Sequence, residues 1–380
     1  LWNNGSTNAT LNANNANTYS VTLTNAAGCT ATASFTLVGA PMNGAYTINS
    51  AAGTTCGSLV SLANAITHLN TYGMSGNVTI NVPAGYTETA PVGGLQLKMC
   101  GLASNLQSGP SQTLTIQKSG SGANPALTAY VGTSTTVDGI FVITGADNVT
   151  IDGIDVYEST ANRATAATST TRMEFGYAIL KCSGDDGSND VVIRNSRVSL
   201  TKAYTSNNGI YVANHNNLNT TGFTNTTYAT TAQASRNKVS IISNTVDSCY
   251  NGIRLGANPG VVSTTGESLN DTLMNISNNT VSFFGGAATA AAGIQYANNR
   301  GVTIRGNTVS SNTVATSTTA YGIYAQSGAW ATISNNTIQN IVTSSTFYGI
   351  FHALTGGDAT NPNIVSVDSN IIQNCTPSAG

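Results

Sequence analysis

The segment VTIRGNTV (residues 302–309) is one copy of a motif, Val-x-Ile-x-x-Asn-x-Val, that recurs along the C-terminal part of the chain. The other copies begin at Val149, Val191, Val239, Met274, Ala331 and Val365. Their central apolar residues follow one another at intervals of 28 to 48 residues. Intervals of this size are typical of structural repeats that stack into a solenoid.

A second motif, Gly-Ile, lies between successive copies of the first. It occurs at Gly209, Gly252, Gly293, Gly322 and Gly349, and Ala178-Ile179 is interpreted as a degenerate first copy. A unit with two short strand signals matches one coil of a parallel β-helix. Because one coil cannot bury its own apolar face, stacked coils must supply a continuous core. The sequence predicts an all-β fold, a right-handed parallel β-helix.

The asparagine of the first motif has a structural explanation. Asn tolerates left-handed backbone and hydrogen-bonds the backbone at tight turns. At one position per coil, these side chains should stack and pair between coils, so we predict a structural ladder without catalytic chemistry. Its members are Asn244, Asn279, Asn307, Asn336 and Asn370.

Charge and length restrict the function. The 380 residues include 13 Lys+Arg and 15 Asp+Glu, only 7% charged, with a net charge of −2. A protein that binds nucleic acid by neutralising phosphates needs a basic face, so no nucleic-acid partner is expected. No apolar run approaches the roughly 20 residues of a membrane span, so membrane insertion is not expected either.

The N-terminal half divides at about residue 40. Residues 40–148 should contain a capping helix and the first coils, and residues 149–380 the regular coils. Leu62, Ile66 and Leu69 have helical spacing, with Ser58 as the expected N-cap and Gly73 as the stop signal. The helix should cover the open end of the core.

Residues 1–39 read as strand, turn, strand. Tyr19, Val21 and Leu23 alternate onto one face, followed by Phe35 and Leu37 after a turn. Two explanations are open, a short hairpin or the C-terminal part of an immunoglobulin-like module, and we favour the second. The chain would then begin inside this module, and it stops straight after a repeat motif without a capping element, so we expect a segment of a longer protein.

Four stretches resemble one class of proteins. SGNVTINVPAGYTETAPV (75–92), LTIQKSGSGANPALTAYVGT (114–133) and DGIFVITGADNVTIDGIDV (138–156) resemble the β-helix region of large secreted bacterial surface proteins. YSVTLTNAAGCTATASF (19–35) resembles the end of their immunoglobulin-like repeats. Such proteins are similar to giant adhesins exported by the type IX secretion pathway. The resemblance implies an extracellular, cell-surface location, with the secretion and anchoring machinery, neighbouring domains of the same chain, and glycans or surfaces as partners.

Six cysteines occur without a Cys-x-x-Cys pair, so a structural zinc site is not indicated. Cys56 and Cys100 flank the helix and the first strand, and we predict a disulfide between them. Cys249 and Cys375 lie four coils apart at about 4.8 Å per coil, too far for a bond, and are expected to be free thiols. The pairing of Cys29 and Cys182 is open.

Parallel β-helices also include sugar-cleaving enzymes, so a catalytic function is an open alternative. A glycosidase needs two carboxylates roughly 5–9.5 Å apart in a groove. The acidic residues concentrate at Asp152, Asp155, Glu158, Glu174, Asp185, Asp186 and Asp190. Residues 183–190 read first as an exposed loop, and Asp185, Asp186 and Asp190 as a candidate Ca²⁺ loop. No catalytic residue, firm metal site or cofactor is predicted.

Aromatic residues could make a contact strip beside the long insertions at 157–176 and 213–236. Its predicted members are Tyr204, Tyr211, Tyr228, Tyr296 and Tyr324, with Phe351. The alternative is that these residues simply alternate outward along strands. We therefore predict a non-catalytic stalk or adhesin that could bind carbohydrate. A polysaccharide lyase or glycoside hydrolase is the first alternative. An ice-binding solenoid is the second, weakened because Thr occupies one outward position rather than a Thr-x-Thr row.

Overall fold

The structure is a computed structural model. It describes residues 1–11, 17–37, 41–48, 58–98, 112–132, 138–163, 171–182, 186–205, 207–213, 238–256, 271–286, 290–315, 319–328, 330–343, 346–353 and 364–377. Within them, three long parallel sheets run side by side, and each coil of chain contributes strands to them in turn.

From Val149 onward, sheet 1 is built from the first motif. Its central apolar residues pair in register from Ile151 through Ile193 and onward to Val367. Among the described residues its strands are Met42–Ile48, Ser58–Leu59, Met74–Pro83, Leu114–Ser119, Val149–Asp152, Val191–Arg194, Val239–Ile242, Asn275–Ser277, Val302–Arg305, Trp330–Ser334 and Ile364–Asp368.

Sheet 2 follows the asparagine turn of each coil. Its central apolar positions pair in register from Val156 through Val246 to Ile372. In the described ranges its strands are Thr87–Thr89, Ala126–Thr128, Asp155–Tyr157, Arg197–Ser199, Thr245–Asp247, Thr280–Ser282, Thr308–Ala315, Thr337–Thr343, Ile371–Gln373 and Thr376–Pro377.

Sheet 3 contains the Gly-Ile motif. Where the chain is described, its strands are Leu95–Lys98, Gly139–Thr144, Phe175–Leu180, Asn208–Ala213, Asn251–Gly256, Asp271–Thr272, Ala291–Arg300, Thr319–Gly328 and Thr346–His352. Ile210 pairs with Tyr177, so the first copy of the motif is Gly176-Tyr177. The expected copy at Ala178-Ile179 was wrong by two residues, because a tyrosine occupies the isoleucine position.

The core runs inside the three sheets as one cluster, from Met42 to Ile341. Inward side chains from successive coils are stacked, so almost every central Val or Ile is fully buried. Burial of this kind is the main stabilising term of a solenoid, since each coil contacts only its neighbours. The predicted all-β parallel β-helix is confirmed.

The predicted helix spans Leu62–Tyr72 and buries Leu62, Ala65, Ile66 and Leu69. Its N-cap is Ser61, whose side chain accepts from the N–H of Asn64, and not Ser58, which lies in a short strand. The helix ends at Gly73 as expected. It packs beside the first strands of sheets 1 and 3, where it covers the interior.

The N-terminal strands Asn17–Thr24 and Thr30–Leu37 form an antiparallel hairpin. Tyr19 lies opposite Phe35, as the alternation predicts, and Trp2 makes an antiparallel bridge to Val21. The immunoglobulin-like module and the domain boundaries at 39 and 148 stay predictions.

Candidate functional site

The asparagine ladder is present. The amide Nδ2 of Asn279 donates to Oδ1 of Asn307 at 2.9 Å, and the Asn307 amide donates to Asn336 at 2.9 Å. The same bond joins Asn244 to Asn279 and Asn336 to Asn370. Each Nδ2 also donates to a backbone carbonyl one coil back, for example Ile276 for Asn307.

One part of the ladder prediction needs correction. The left-handed backbone belongs to the residue before each ladder asparagine, with φ of 56° at Ser243, 57° at Asn278, 66° at Gly306 and 55° at Asn335. The ladder side chains therefore follow the tight turn, pointing inward, and leave no group free for chemistry.

The candidate Ca²⁺ loop gains no support. Asp185 lies outside the described residues, and Asp190 pairs with Lys238 at 3.0 Å. Asp186 and Asp190 lie close enough to Asp147 to add to the effect of burial, which raises its pKa to about 7. Across the part of the chain that the structure describes, no group of three His, Cys, Asp or Glu is placed to hold a metal ion. Calcium binding stays a prediction.

The predicted tyrosine strip is not a single surface. Tyr296 is fully buried in the core, and Tyr211 is buried against Phe175, with ring centroids 4.6 Å apart. The prediction that both residues make surface contacts was wrong. Tyr296 lies two residues after the inward-pointing Ile294 and so points inward as well. Tyr211 points outward, but neighbouring side chains, including Phe175, cover it. Tyr204 is half-buried against Glu174, and Tyr228 lies outside the described residues.

Tyr324 belongs to an aromatic cluster that we call the aromatic platform. Its rings are those of Tyr321, Tyr324, Tyr348 and Phe351, on two neighbouring strands of sheet 3. Tyr321 stacks on Tyr324 at 4.2 Å and on Tyr348 at 5.2 Å, while Phe351 meets Tyr348 edge-on at 5.0 Å. Tyr348 is 39% exposed. The sequence indicated Tyr324 and Phe351 but missed Tyr321 and Tyr348, which precede the Gly-Ile motif.

A buried carboxyl cluster lies at the corner between sheets 2 and 3. The Glu174 carboxylate accepts the backbone N–H of Asp138 at 2.7 Å and the hydroxyl of Tyr204 at 2.7 Å. Burial raises the pKa of Glu174 to about 7, and it also raises the pKa of Asp138, which is hydrogen-bonded to Tyr130. Paired carboxyls with raised pKa values are a reason to consider acid–base chemistry.

Glu158 extends this cluster into the interior. It accepts from the Asn162 amide at 2.8 Å and from the Met173 N–H at 3.1 Å, and burial raises its pKa. These bonds satisfy both carboxyl oxygens. Glu158 thus connects Asn162 to Met173, and the sequence had indicated Glu158 only as one of the concentrated acidic residues.

The outer face of sheet 2 can be compared with the Thr-x-Thr rows of an ice-binding solenoid. Thr245, Thr280, Thr308 and Thr337 form one column across four coils. The next outward position holds Asp247, Ser282, Ser310 and Gln339. Among the described residues, the outer face of these four coils of sheet 2 therefore has a single Thr column, as the sequence indicated, rather than a Thr-x-Thr face.

Cys182 forms a disulfide, while Cys249 and Cys375 are free thiols as predicted, and so is Cys29. Both cysteines of the predicted pair, Cys56 and Cys100, lie outside the described residues, so that disulfide stays a prediction.

No helix in the described ranges combines the length and apolarity that crossing a membrane requires. No protein-family model and no curated protein matches the chain.

Solved structures similar to this chain include two enzymes and an adhesin. A Yersinia enterocolitica family 28 exopolygalacturonase is 12% identical to this chain and has a TM-score of 0.42. The similarity covers 95% of this chain and 71% of the exopolygalacturonase chain. A GH136 lacto-N-biosidase from Eubacterium ramulus is 12% identical, and the similarity covers 87% of this chain and 68% of the biosidase chain. PfbA, a surface adhesin of Streptococcus pneumoniae, is 11% identical, and the similarity covers 80% of this chain and 81% of the adhesin chain. Both structures have a TM-score of 0.37. At these values the similarities carry no argument about function.

Proposed function

We propose that the chain is a non-catalytic, rigid segment of an extracellular surface protein, acting as a stalk that also makes adhesive contacts. The observation that carries this proposal is the continuous stack: core and asparagine ladder pass without interruption through the coils from Val239 to Asn370. The described residues from Met74 onward form nine coils, which at about 4.8 Å each give a rod of roughly 43 Å.

The extracellular location is supported by chemistry. The disulfide at Cys182 fits an oxidising compartment. The low charge content and the resemblance to type IX-secreted adhesins point the same way. Adhesive contact is supported by the aromatic platform, since exposed aromatic clusters on soluble proteins commonly mark interaction surfaces.

The test combines two measurements on the whole chain. Beads coated with the chain should be retained under flow on polysaccharide-coated surfaces, and the same polysaccharides should release no reducing sugar. Beads coated with a denatured and aggregated sample serve as the control for nonspecific retention. Sugar release, or retention no better than this control, would contradict the proposal.

A second candidate function is supported by the carboxyl cluster. Glu174, with a pKa raised to about 7, could donate a proton beside Asp138, the arrangement of a glycoside hydrolase. The side chains oppose this reading, because Glu174 is 5% and Asp138 7% exposed, and each already has hydrogen-bond partners. Sugar release that disappears in Glu174→Gln, with folding intact, would establish it.

A further inference from the structure

The aromatic platform lies outside the hydrophobic core. Ile323 and Ile350 are the neighbouring residues that point inward, and they pair in register on adjacent strands. Tyr324 and Phe351 follow them directly and therefore point to the opposite face of sheet 3. Tyr321 and Tyr348 also pair in register, so each coil contributes two rings.

The three tyrosine rings form a stack, in which Tyr321 packs face to face with both Tyr324 and Tyr348. The planes of Tyr321 and Tyr324 differ by 13°, and those of Tyr321 and Tyr348 by 11°. Phe351 stands edge-on to them, at 66° to Tyr321 and 63° to Tyr348, and so fixes the cluster from one side. The interlocked rings lose little conformational freedom when a ligand binds, because they are already held in place.

The platform is electrically neutral. Between Thr319 and Ala325, and between Thr346 and His352, the described side chains include no Asp, Glu, Lys or Arg. The Tyr321 hydroxyl stays protonated at neutral pH, since burial and then the neighbouring Tyr324 and Tyr348 raise its pKa. The described part of this surface therefore offers the exposed ring of Tyr348, the edges of the stacked rings and neutral hydroxyls, with no formal charge for an ionic ligand.

We propose that the aromatic platform binds the apolar face of an uncharged pyranose oligosaccharide. A pyranose ring has the matching amphipathic chemistry: axial C–H groups on one face and hydroxyls around its edge. The C–H face packs on the exposed ring of Tyr348, and the tyrosine hydroxyls hydrogen-bond at the edge of the sugar. This inference rests on the proposed adhesive function and specifies the ligand class of that function.

The test uses isothermal titration of the full chain with neutral hexasaccharides of β-1,4-linked glucose and of N-acetylglucosamine. Hexagalacturonic acid is the charged comparison. A tyrosine difference spectrum, recorded in the same titration, reports directly whether tyrosine rings are covered. We expect saturable binding of a neutral hexasaccharide, a tyrosine signal, and weaker or no binding of the charged one.

Variants assign the binding to the platform. Tyr348→Ala removes its most exposed ring and should lower the affinity roughly three- to tenfold, whereas Tyr348→Phe, which keeps the ring, should lower it much less. Phe283→Ala is the matched control, because Phe283 is 38% exposed but lies elsewhere on the surface. Circular dichroism checks that each variant is folded.

Several results would overturn the inference. Neutral sugars could bind equally well to wild type and Tyr348→Ala, or only the charged hexasaccharide could bind. Self-association abolished by Tyr348→Ala would show that the platform joins two copies of the chain instead. If no hexasaccharide binds but the beads still adhere to surfaces, only the ligand class is wrong. If adhesion is also absent, the proposed function fails as well.

Discussion

Asn307 shows how a single side chain connects three coils. Its Oδ1 accepts from the backbone N–H and the Nδ2 of Asn279, both at 2.9 Å. Its Nδ2 donates to Asn336 and to the carbonyl of Ile276, also at 2.9 Å. The amide thus satisfies donors and acceptors that lie inside the core, where water cannot replace it.

We predict that Asn307→Ala lowers the free energy of unfolding by about 3 kcal/mol, because it leaves buried polar partners unsatisfied on both neighbouring coils. Chemical denaturation monitored by circular dichroism measures the loss. Asn335→Gly is the control: Asn335 is exposed, has a φ of 55°, and belongs to the turn rather than the ladder. A similar small effect in both variants would mean that the ladder contributes little.

The pKa of Glu174 gives a pH dependence with a definite sign. In the folded chain the pKa is about 7, against about 4.3 for an unperturbed Glu. Between these values the unfolded state loses the proton that the folded state keeps, so stability must fall as pH rises. The stabilising contribution is complete below about pH 4.3 and is lost as the pH passes 7.

We therefore expect the urea midpoint to decrease from pH 4.5 to pH 7.5, and the slope to become smaller in Glu174→Gln. Part of the slope should persist, because the pKa of Asp147 is also about 7. The double variant with Asp147→Asn should reduce the slope further, and Asp138 and Glu158, whose pKa values burial also raises, should maintain the rest. Stability that rises with pH over this interval would contradict the assigned shifts.

At the scale of elements, the Gly-Ile motif explains how sheet 3 fits against its neighbours. A Cβ at Gly252 would collide with the carbonyl of Gly293 on the next coil and with the side chain of Val281 on sheet 2. Gly209 faces Gly252 and Val246 in the same way. The glycine row therefore allows close approach of coils at one corner, which no larger residue permits.

We predict that Gly252→Ala lowers the unfolding free energy by about 2 kcal/mol or more, because a packed carbonyl and a valine must both move. Thermal unfolding of the variant measures the effect. Thr280→Ala is the control, an exposed position on the neighbouring strand of sheet 2. An unchanged melting temperature in Gly252→Ala would show that the corner can expand.

The periodicity of the sequence was sufficient to predict these strands and the ladder, but it was not sufficient to predict the candidate sites. The inward Val and Ile positions and the ladder asparagines recur at readable intervals, so their stacking could be predicted. Asp138 and Glu174 are 36 residues apart, and insertions of unequal length hide which coils bring them together. Tyr296 was misplaced because its distance from Ile294, rather than its residue type, decides the direction in which it points.

At the scale of the whole molecule, the two ends of the core differ. The helix Leu62–Tyr72 covers the N-terminal end, and the Glu88 carboxylate accepts its first N–H groups, from Leu62 at 2.9 Å and Ala63 at 3.1 Å. In the last described coil, by contrast, Val367 and Ile372 are about half exposed although they occupy core positions. A solenoid is stabilised by contacts between neighbouring coils, so a coil with one neighbour is less stable than one with two.

For this 380-residue chain measured by itself, hydrogen exchange should therefore show opening that begins in the last described coil. We expect the amides of Ile364–Asp368 and Ile371–Gln373 to exchange first, then those of Trp330–Ser334, with the slowest exchange near Ile193 and Ile241. Glu88→Gln weakens the helix cap and should accelerate exchange at Leu62–Tyr72 while leaving the C-terminal order unchanged. Mass-spectrometric exchange on the intact chain resolves these segments. Uniform protection along all coils would contradict coil-by-coil opening and would indicate that the rod unfolds as a single cooperative unit.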